Sequence, residues 1–482
     1  MLTKKRVGLI TGPWAFILIQ LFFRSEGLSP EGLSVLAITA WMAIWWITEA
    51  IAIEATALLP LILFPLLGVA KISATGASYG HKFIFLFLGG FMIALAIEKW
   101  NLHKRIALQI IRIVGTSLSK VVLGFMISTA FLSMWISNTA TTVMILPIGI
   151  AVVKKLTEGM GNIEKGRFRK ALMLAIAYSA SIGGMATLIG TPPNLVFAGV
   201  VQEIYGIEIT FMQWFIFGLP ISLILLAICW GYLTRFAFPL KGKRFEGGKD
   251  VVKTQLKELG KTSKQEKIIL GVFALVAFAW VSRSFLLVKF LPAIDDTIIA
   301  LIGALLLFMI PAGEKKGRIL EWPDLEKLPW GVLLLFGGGI ALALGFQNSG
   351  LAQWVGEQLH ALKGVHVLIL LLVIIATVNF LTEVTSNLAT TTILLPILSA
   401  LAVIMGVHPF LLLAGATVAA SCAFMLPVAT APNALVFGSG FVKIGDMVRA
   451  GVWLNLISIL LLTLIVYFIL PMLWGFDLLG AL

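Results

Sequence analysis

The sequence predicts an all-α polytopic membrane protein, with about 11 transmembrane helices plus two re-entrant hairpins arranged as an inverted repeat. Three observations carry this prediction. Apolar runs recur at membrane-spanning length, basic residues cluster between them, and a short polar motif occurs twice.

Of the 482 residues, 59% are hydrophobic and only 12% are charged. Charged residues make up about 25% of an ordinary soluble domain. The apolar runs are mostly roughly 17–25 residues long, enough to cross a hydrocarbon core of about 30 Å as a helix. They fall near 8–23, 32–48, 50–68, 83–98, 171–202, 211–236, 268–285, 294–311, 331–347, 409–440 and 450–474. Two further stretches, 119–153 and 366–405, are about twice a span long, and each is interrupted at its middle by a polar cluster. Such a stretch reads as a hairpin that enters to the midplane, turns and leaves. Its irregular tip is tolerable only where protein or a water-filled cavity surrounds it.

The net charge of +13 has a location as well as a sign. Lys4, Lys5 and Arg6, the segment 154–170 and the segment 241–267 hold clustered positive charge. This is the positive-inside pattern, which sets orientation and excludes nucleic acid as the partner. With the N-terminus in the cytoplasm, the basic loops 99–120, 154–170 and 241–267 all fall inside, as do Lys443 and Arg449. The acidic loop 203–210 falls outside. The segment 241–267, with nine Lys/Arg and four Asp/Glu, reads as a cytoplasmic linker, a solvated connector more than a lipid-bound amphipathic helix. The first apolar run is read as a span, because only Arg24-Ser25-Glu26-Gly27 follows it and no small-x-small cleavage site. Cys229 and Cys422 sit inside apolar runs and read as small core residues.

The repeat is specific. Residues 137–148 (Ser-Asn-Thr-Ala-Thr-Thr-Val-Met-Ile-Leu-Pro-Ile) recur at 386–397 as Ser-Asn-Leu-Ala-Thr-Thr-Thr-Ile-Leu-Leu-Pro-Ile, with eight of twelve positions identical. The same spacing aligns Phe87-Leu88-Gly89-Gly90 with Phe336-Gly337-Gly338-Gly339. A third pair sets Gly190-Thr191-Pro192-Pro193-Asn194 against Ala429-Thr430-Ala431-Pro432-Asn433. Counting spans brings the first hairpin in from the cytoplasm and the second from outside. The halves are then inverted copies, a plan whose binding site lies near the midplane between the repeats.

Each Ser-Asn cluster falls at a hairpin tip, where one half-helix ends and another begins. Such breaks leave free carbonyls at one end and free N–H groups at the other. Carbonyls with Ser, Thr and Asn oxygens suit a hard monovalent cation, and the positive helix ends suit an anion. Thr191 and Thr430, each followed by proline, repeat the logic, since Pro in the first turn gives up only an N–H that is already orphaned. A single cluster of this kind is equally at home in helix packing; two matched pairs at inverted positions point to a site. No Arg or Lys stands at the tips, so neutralising an anion falls to dipoles, hydroxyls and co-bound cations, which argues for sodium coupling. Intramembrane carboxylates are few, namely Glu49, Glu54, Glu98 and Glu383. Glu383 either relays protons or, as favoured, orients its hairpin while hydrogen bonded. His81, His103, His360, His366 and His408 have no metal-ligand spacing, so neither an enzyme nor a cofactor is expected.

At these residues the chain resembles the divalent anion/sodium symporter family, over essentially its whole length. Ser137-Asn138-Thr139 resembles the family's first motif, Ser386-Asn387 the second, and Ser421 to Val436 its C-terminal signature. The resemblance implies a first sodium site of Ser133, Ser137, Asn138 and the Gly190 carbonyl, and a second of Thr382, Thr385, Asn387 and the Ala429 carbonyl. It implies substrate contacts from Ser137, Asn138, Thr139, Thr191, Ser386, Asn387 and Thr430. It further implies an elevator-type homodimer in the cell's inner membrane, among lipid. Residues 1–82 and 211–330 would supply scaffold helices, 83–210 and 331–449 the two transport regions, and 450–482 a C-terminal helix. Two departures stand out: Leu388 replaces the family's usual Thr, and Ala431 a common Pro. Losing a hydroxyl partner to a charged group costs roughly 1.5–3 kcal/mol. The expected activity is sodium-coupled symport of small di- or tricarboxylates. Symport of sulfate or another oxyanion, or dicarboxylate exchange, stands as the alternative.

Overall fold

A computed structural model describes residues 4–114, 117–157, 160–240, 247–313, 317–359 and 364–480. His360 and residues 241–246 of the expected linker lie outside the described residues.

The first helices are α1 (Lys4–Phe22) and α2 (Pro30–Thr48). Ser29 caps α2, with Pro30 in its first turn. The pair packs closely, and Trp45 Nε1 donates to Gly8 O at 3.0 Å. Next come α3 (Ile53–Thr56), α4 (Leu59–Leu66) and α5 (Ile72–Ser78). The run 50–68, expected as one span, is thus two pieces of four and eight residues. Together they reach only about 18 Å, short of a bilayer core. Pro60, which has no N–H to continue the ladder, starts the second piece.

The first repeat runs α6 (Lys82–Lys99), α7 (Leu102–Val114), α8 (Leu118–Ser133), α9 (Asn138–Leu156), α10 (Asn162–Gly184) and α11 (Pro192–Tyr205). Between the repeats lie α12 (Phe211–Gly231), α13 (Gly247–Glu258), α14 (Lys264–Ser282), α15 (Val288–Phe290) and α16 (Asp296–Met309). The second repeat is α17 (Trp330–Asn348), α18 (Leu351–Gln358), α19 (Val367–Leu381), α20 (Asn387–Met405), α21 (Pro409–Ala420) and α22 (Ala431–Gly438). The chain closes with α23 (Ile444–Leu464) and α24 (Leu470–Trp474). Shifted by 249 residues, α9 coincides with α20, while α6, α7 and α8 start within one residue of α17, α18 and α19. Among the described residues, eight helices are long and apolar enough to cross a membrane, counting both α9 and α20. In the expected topology four segments, α10–α11, α12, α14 and α16, separate α6 from α17, which sets the two in opposite directions.

Packing repeats with the same inversion. α16 lies along α6, and α3 and α4 lie along α17. A Cβ at Gly89 would stand 2.8 Å from Ala300 Cβ, and one at Gly338 would stand 2.8 Å from Ala57 Cβ. Glycine at both places lets the helices approach as membrane helices prefer. Gly338→Ala is expected to cost about 1–3 kcal/mol by overpacking, read as a lower thermal unfolding midpoint in detergent.

The segment 99–120, expected as a basic loop, contains the amphipathic helix α7. Its apolar face is buried, and with it Arg105. The Arg105 guanidinium meets Glu266 at 2.6 Å and also donates to Gly260 O at 3.1 Å and Leu259 O at 3.3 Å. It therefore ties α7 to the residues that follow α13 and to the first turn of α14. Within the described part of 241–267, the connector is a helix packed on α7 and α9, not a bare solvated strand of chain.

Candidate substrate and cation site

Four half-helices start at one place. α8 ends at Ser133 and α9 begins at Asn138, and the second tip lies between Leu381 and Asn387. α10 stops at Gly184 and α11 starts at Pro192, while α21 stops at Ala420 and α22 starts at Ala431. The N-terminal ends of α9, α11, α20 and α22 all face one cavity of about 1080 Å³. Ser137 caps α9 by accepting from Ala140 N at 3.3 Å, and Thr430 caps α22 by accepting from Asn433 N at 3.2 Å. Thr191 and Ser386 stand at the cap positions of α11 and α20 without such a bond, so their hydroxyls are uncommitted at the helix ends.

Of the expected site residues, Ser137, Asn138, Thr139, Gly190, Thr191, Thr385, Ser386, Asn387, Leu388, Ala429 and Thr430 all line this cavity. Ser133 and Thr382 do not; they are fully buried behind the tips. Ser133 Oγ lies 2.6 Å from Asn138 Oδ1 and 2.7 Å from Ala180 O. Thr382 Oγ1 lies 2.7 Å from Asn387 Oδ1 and 3.0 Å from Ala420 O. A hydroxyl has one proton, so at each tip it can serve one of its two acceptors. Both tips therefore hold a surplus of oxygen lone pairs, the donor set that suits a hard monovalent cation. The Ala180 and Ala420 carbonyls were invisible to motif reading, since an alanine carbonyl has no side-chain signature.

The breaks are stitched by matched asparagines. Asn194 Nδ2 donates to Thr187 O at 2.7 Å, and Asn433 Nδ2 to Leu426 O at 3.0 Å and Ala423 O at 3.1 Å. Both are fully buried, and neither Oδ1 has a hydrogen-bond partner. A Cβ at Gly184 would come within 2.5 Å of Asn138 Oδ1, so glycine there makes room for the amide.

The two tips are tethered to their breaks by different chemistry. In the first repeat Thr187 Oγ1 donates to Met134 O at 2.5 Å. In the second, Glu383 Oε1 accepts from Phe424 N at 2.7 Å, Met425 N at 2.9 Å and Asn455 Nδ2 at 2.8 Å. Its Oε2 accepts from Leu426 N at 2.9 Å. These four bonds tie the second hairpin to its break, the geometry that an orienting role for Glu383 requires.

Part of the remaining wall is apolar, with Phe87, Phe91, Val332 and Leu335 from α6 and α17. Lys4, Lys5, Glu49, Glu54, Glu98 and Lys327 also line the cavity. Of these, the sequence marks Glu49, Glu54 and Glu98 as intramembrane carboxylates, but does not mark Lys4, Lys5 and Lys327 as part of a site.

Broken helices, doubled by inversion around one polar cavity within apolar spans, define a membrane transporter. A family model described as the sodium:sulfate symporter transmembrane region matches residues 4–476, and the chain belongs to that family. Over 479 residues it is 50% identical to the sodium-dependent dicarboxylate transporter SdcS of Staphylococcus saprophyticus, covering 98% of this chain and 92% of that protein. An SdcS of Staphylococcus aureus is 49% identical over 481 residues, with the same coverage. Among solved structures, the chain is similar in fold to the Neisseria gonorrhoeae MtrF efflux pump, with a TM-score of 0.62, 13% identity, and 97% and 98% of the two chains covered. It is likewise similar to the Alcanivorax borkumensis YdaH transporter, with a TM-score of 0.57, 13% identity, and 93% and 99% covered.

Proposed function

We infer that this chain is a secondary active transporter that couples sodium to the symport of small dicarboxylates of the succinate, malate and fumarate class. One observation carries the reading: two matched oxygen clusters, at Asn138 and Asn387, flank a cavity onto which four positive helix ends converge. The names of the SdcS relatives support sodium and dicarboxylate as the pair. Ser133, Ser137, Asn138 and the Gly190 carbonyl hold one sodium, and Thr382, Thr385, Asn387 and the Ala429 carbonyl the other. Substrate carboxylates meet Ser137, Asn138, Thr139, Thr191, Ser386, Asn387 and Thr430, with Leu388 beside them.

In this reading the chain is a multi-pass homodimer in the cell's inner membrane, its N-terminus cytoplasmic. The hairpins and broken helices within 83–210 and 331–449 move as an elevator against the scaffold helices within 1–82 and 211–330. Lys4, Lys5 and Lys327 lining the cavity, read with the positive-inside pattern, support an inward-open state. Leu388 favours a second reading, symport of sulfate or another oxyanion, because it removes one hydroxyl from the second tip; dicarboxylate exchange is the other alternative.

Proteoliposomes with an imposed inward sodium gradient are expected to accumulate labelled succinate. Competition by malate, 2-oxoglutarate, citrate and sulfate, with sodium titrated, separates the readings. Accumulation that follows a proton gradient and ignores sodium would overturn the coupling.

A further inference from the structure

Five charged side chains are buried among the described residues: Arg105, Glu266, Arg283, Asp296 and Glu383. Arg105 pairs with Glu266 at 2.6 Å, and Arg283 with Asp296 at 3.3 Å. Glu383 has no basic partner among the described residues. Its carboxylate accepts on both oxygens from four N–H donors, three of them consecutive backbone amides. Consecutive amides turned toward one point form a nest for an anion, and bonds of this kind favour the ionised carboxylate. An unmatched buried charge is costly unless something else balances it.

The position of that charge matters. Glu383 directly follows Thr382, whose hydroxyl touches Asn387 Oδ1 and Ala420 O. The amides it holds lie in the same break as Ala429, which lines the cavity. At the matching place in the first repeat stands Met134, joined to its break by one neutral hydroxyl bond from Thr187. The halves are alike in oxygen donors and unlike in charge.

We propose that Glu383 is the countercharge for the cation at the second hairpin tip, so the two cation pockets are unequal and the second fills first. The inference rests on the sodium-coupled reading above. In a buried site the attraction is neither screened by salt nor diluted by water. Glu383 is accordingly a positioning residue that also sets an electrostatic order of loading.

The test uses the full chain in nanodiscs, with thermal unfolding followed as sodium chloride replaces choline chloride at constant ionic strength and without carboxylate substrate. Wild type is expected to be stabilised in a low-sodium phase that Asn387→Ala removes and Asn138→Ala retains. Glu383→Gln is expected to raise the midpoint of that phase at least about tenfold. Asn455→Ala removes a hydrogen bond but leaves the charge, and is expected to raise it less than about threefold. An unchanged midpoint in Glu383→Gln overturns the proposal, and so does an equal shift in Asn455→Ala. Should Glu383→Gln fail to fold, the two asparagine variants decide: loss of the low-sodium phase in Asn138→Ala but not in Asn387→Ala overturns it. A wild type indifferent to sodium instead removes the sodium reading itself, and the inference with it.

Discussion

Asn138→Ala is expected to lower sodium-driven succinate uptake by about 100-fold or more, and Asn387→Ala by a similar factor. Each amide serves two neighbours at once. Behind the tip its Oδ1 meets Ser133 Oγ at 2.6 Å or, in the other half, Thr382 Oγ1 at 2.7 Å. Both residues also line the cavity, where their helix ends face the anion. In the function proposed above, each variant removes a cation ligand and disturbs an anion contact together, and contacts to charged groups are worth roughly 1.5–3 kcal/mol apiece. The loss should fall on transport more than on folding. Unfolding midpoints measured without sodium should stay near wild type while uptake disappears. Retention of most of the uptake in either variant would show that the amide lies outside the carrier's working pocket.

Leu388→Thr carries the second large effect. Leu388 is 5% exposed and lines the cavity one residue after Asn387, within the first turn of α20. A hydroxyl there adds one hydrogen bond to a carboxylate, and the substitution gives up some apolar contact in return. The balance is expected to tighten half-saturation for succinate roughly tenfold relative to sulfate, since a bond to a charged partner outweighs one or two methyl groups. Uptake of both anions at saturating sodium, measured side by side, gives the ratio. An unchanged ratio means that the side chain at 388 does not face the ligand.

Much of this site was legible in the chain because its parts are doubled. Ser137-Asn138 and Ser386-Asn387 mark the tips, and Pro192 and Ala431-Pro432 mark where the broken helices restart. Polar residues and prolines interrupt apolar runs only where the backbone has another partner, and that makes them readable. Other features left no such mark. The 50–68 run has the apolar content of a span, and only the fold shows that it stops short, as α3 and α4. The basic segment 99–120 conceals α7, because the positive charge that signals a loop also suits the outer face of a surface helix. The repeat spacing of 249 also fails beyond the hairpins. α10 has 23 residues and α21 only 12, so the two breaks no longer align at that offset. The bracket made by Glu383 depends on backbone amides at 424–426, which no side-chain pattern announces.

The lack of any lysine or arginine on the tips and breaks, 134–137, 185–191, 382–386 and 421–430, has a consequence for leakage. A pocket with built-in positive charge could shuttle a dianion unaccompanied. In the reading proposed above, a dianion alone adds to the negative charge already held at Glu383 and leaves the pocket strongly unbalanced, a load that hydrocarbon does not tolerate. In that reading, passage of the anion without its cations is opposed by the lipid's own intolerance of net charge.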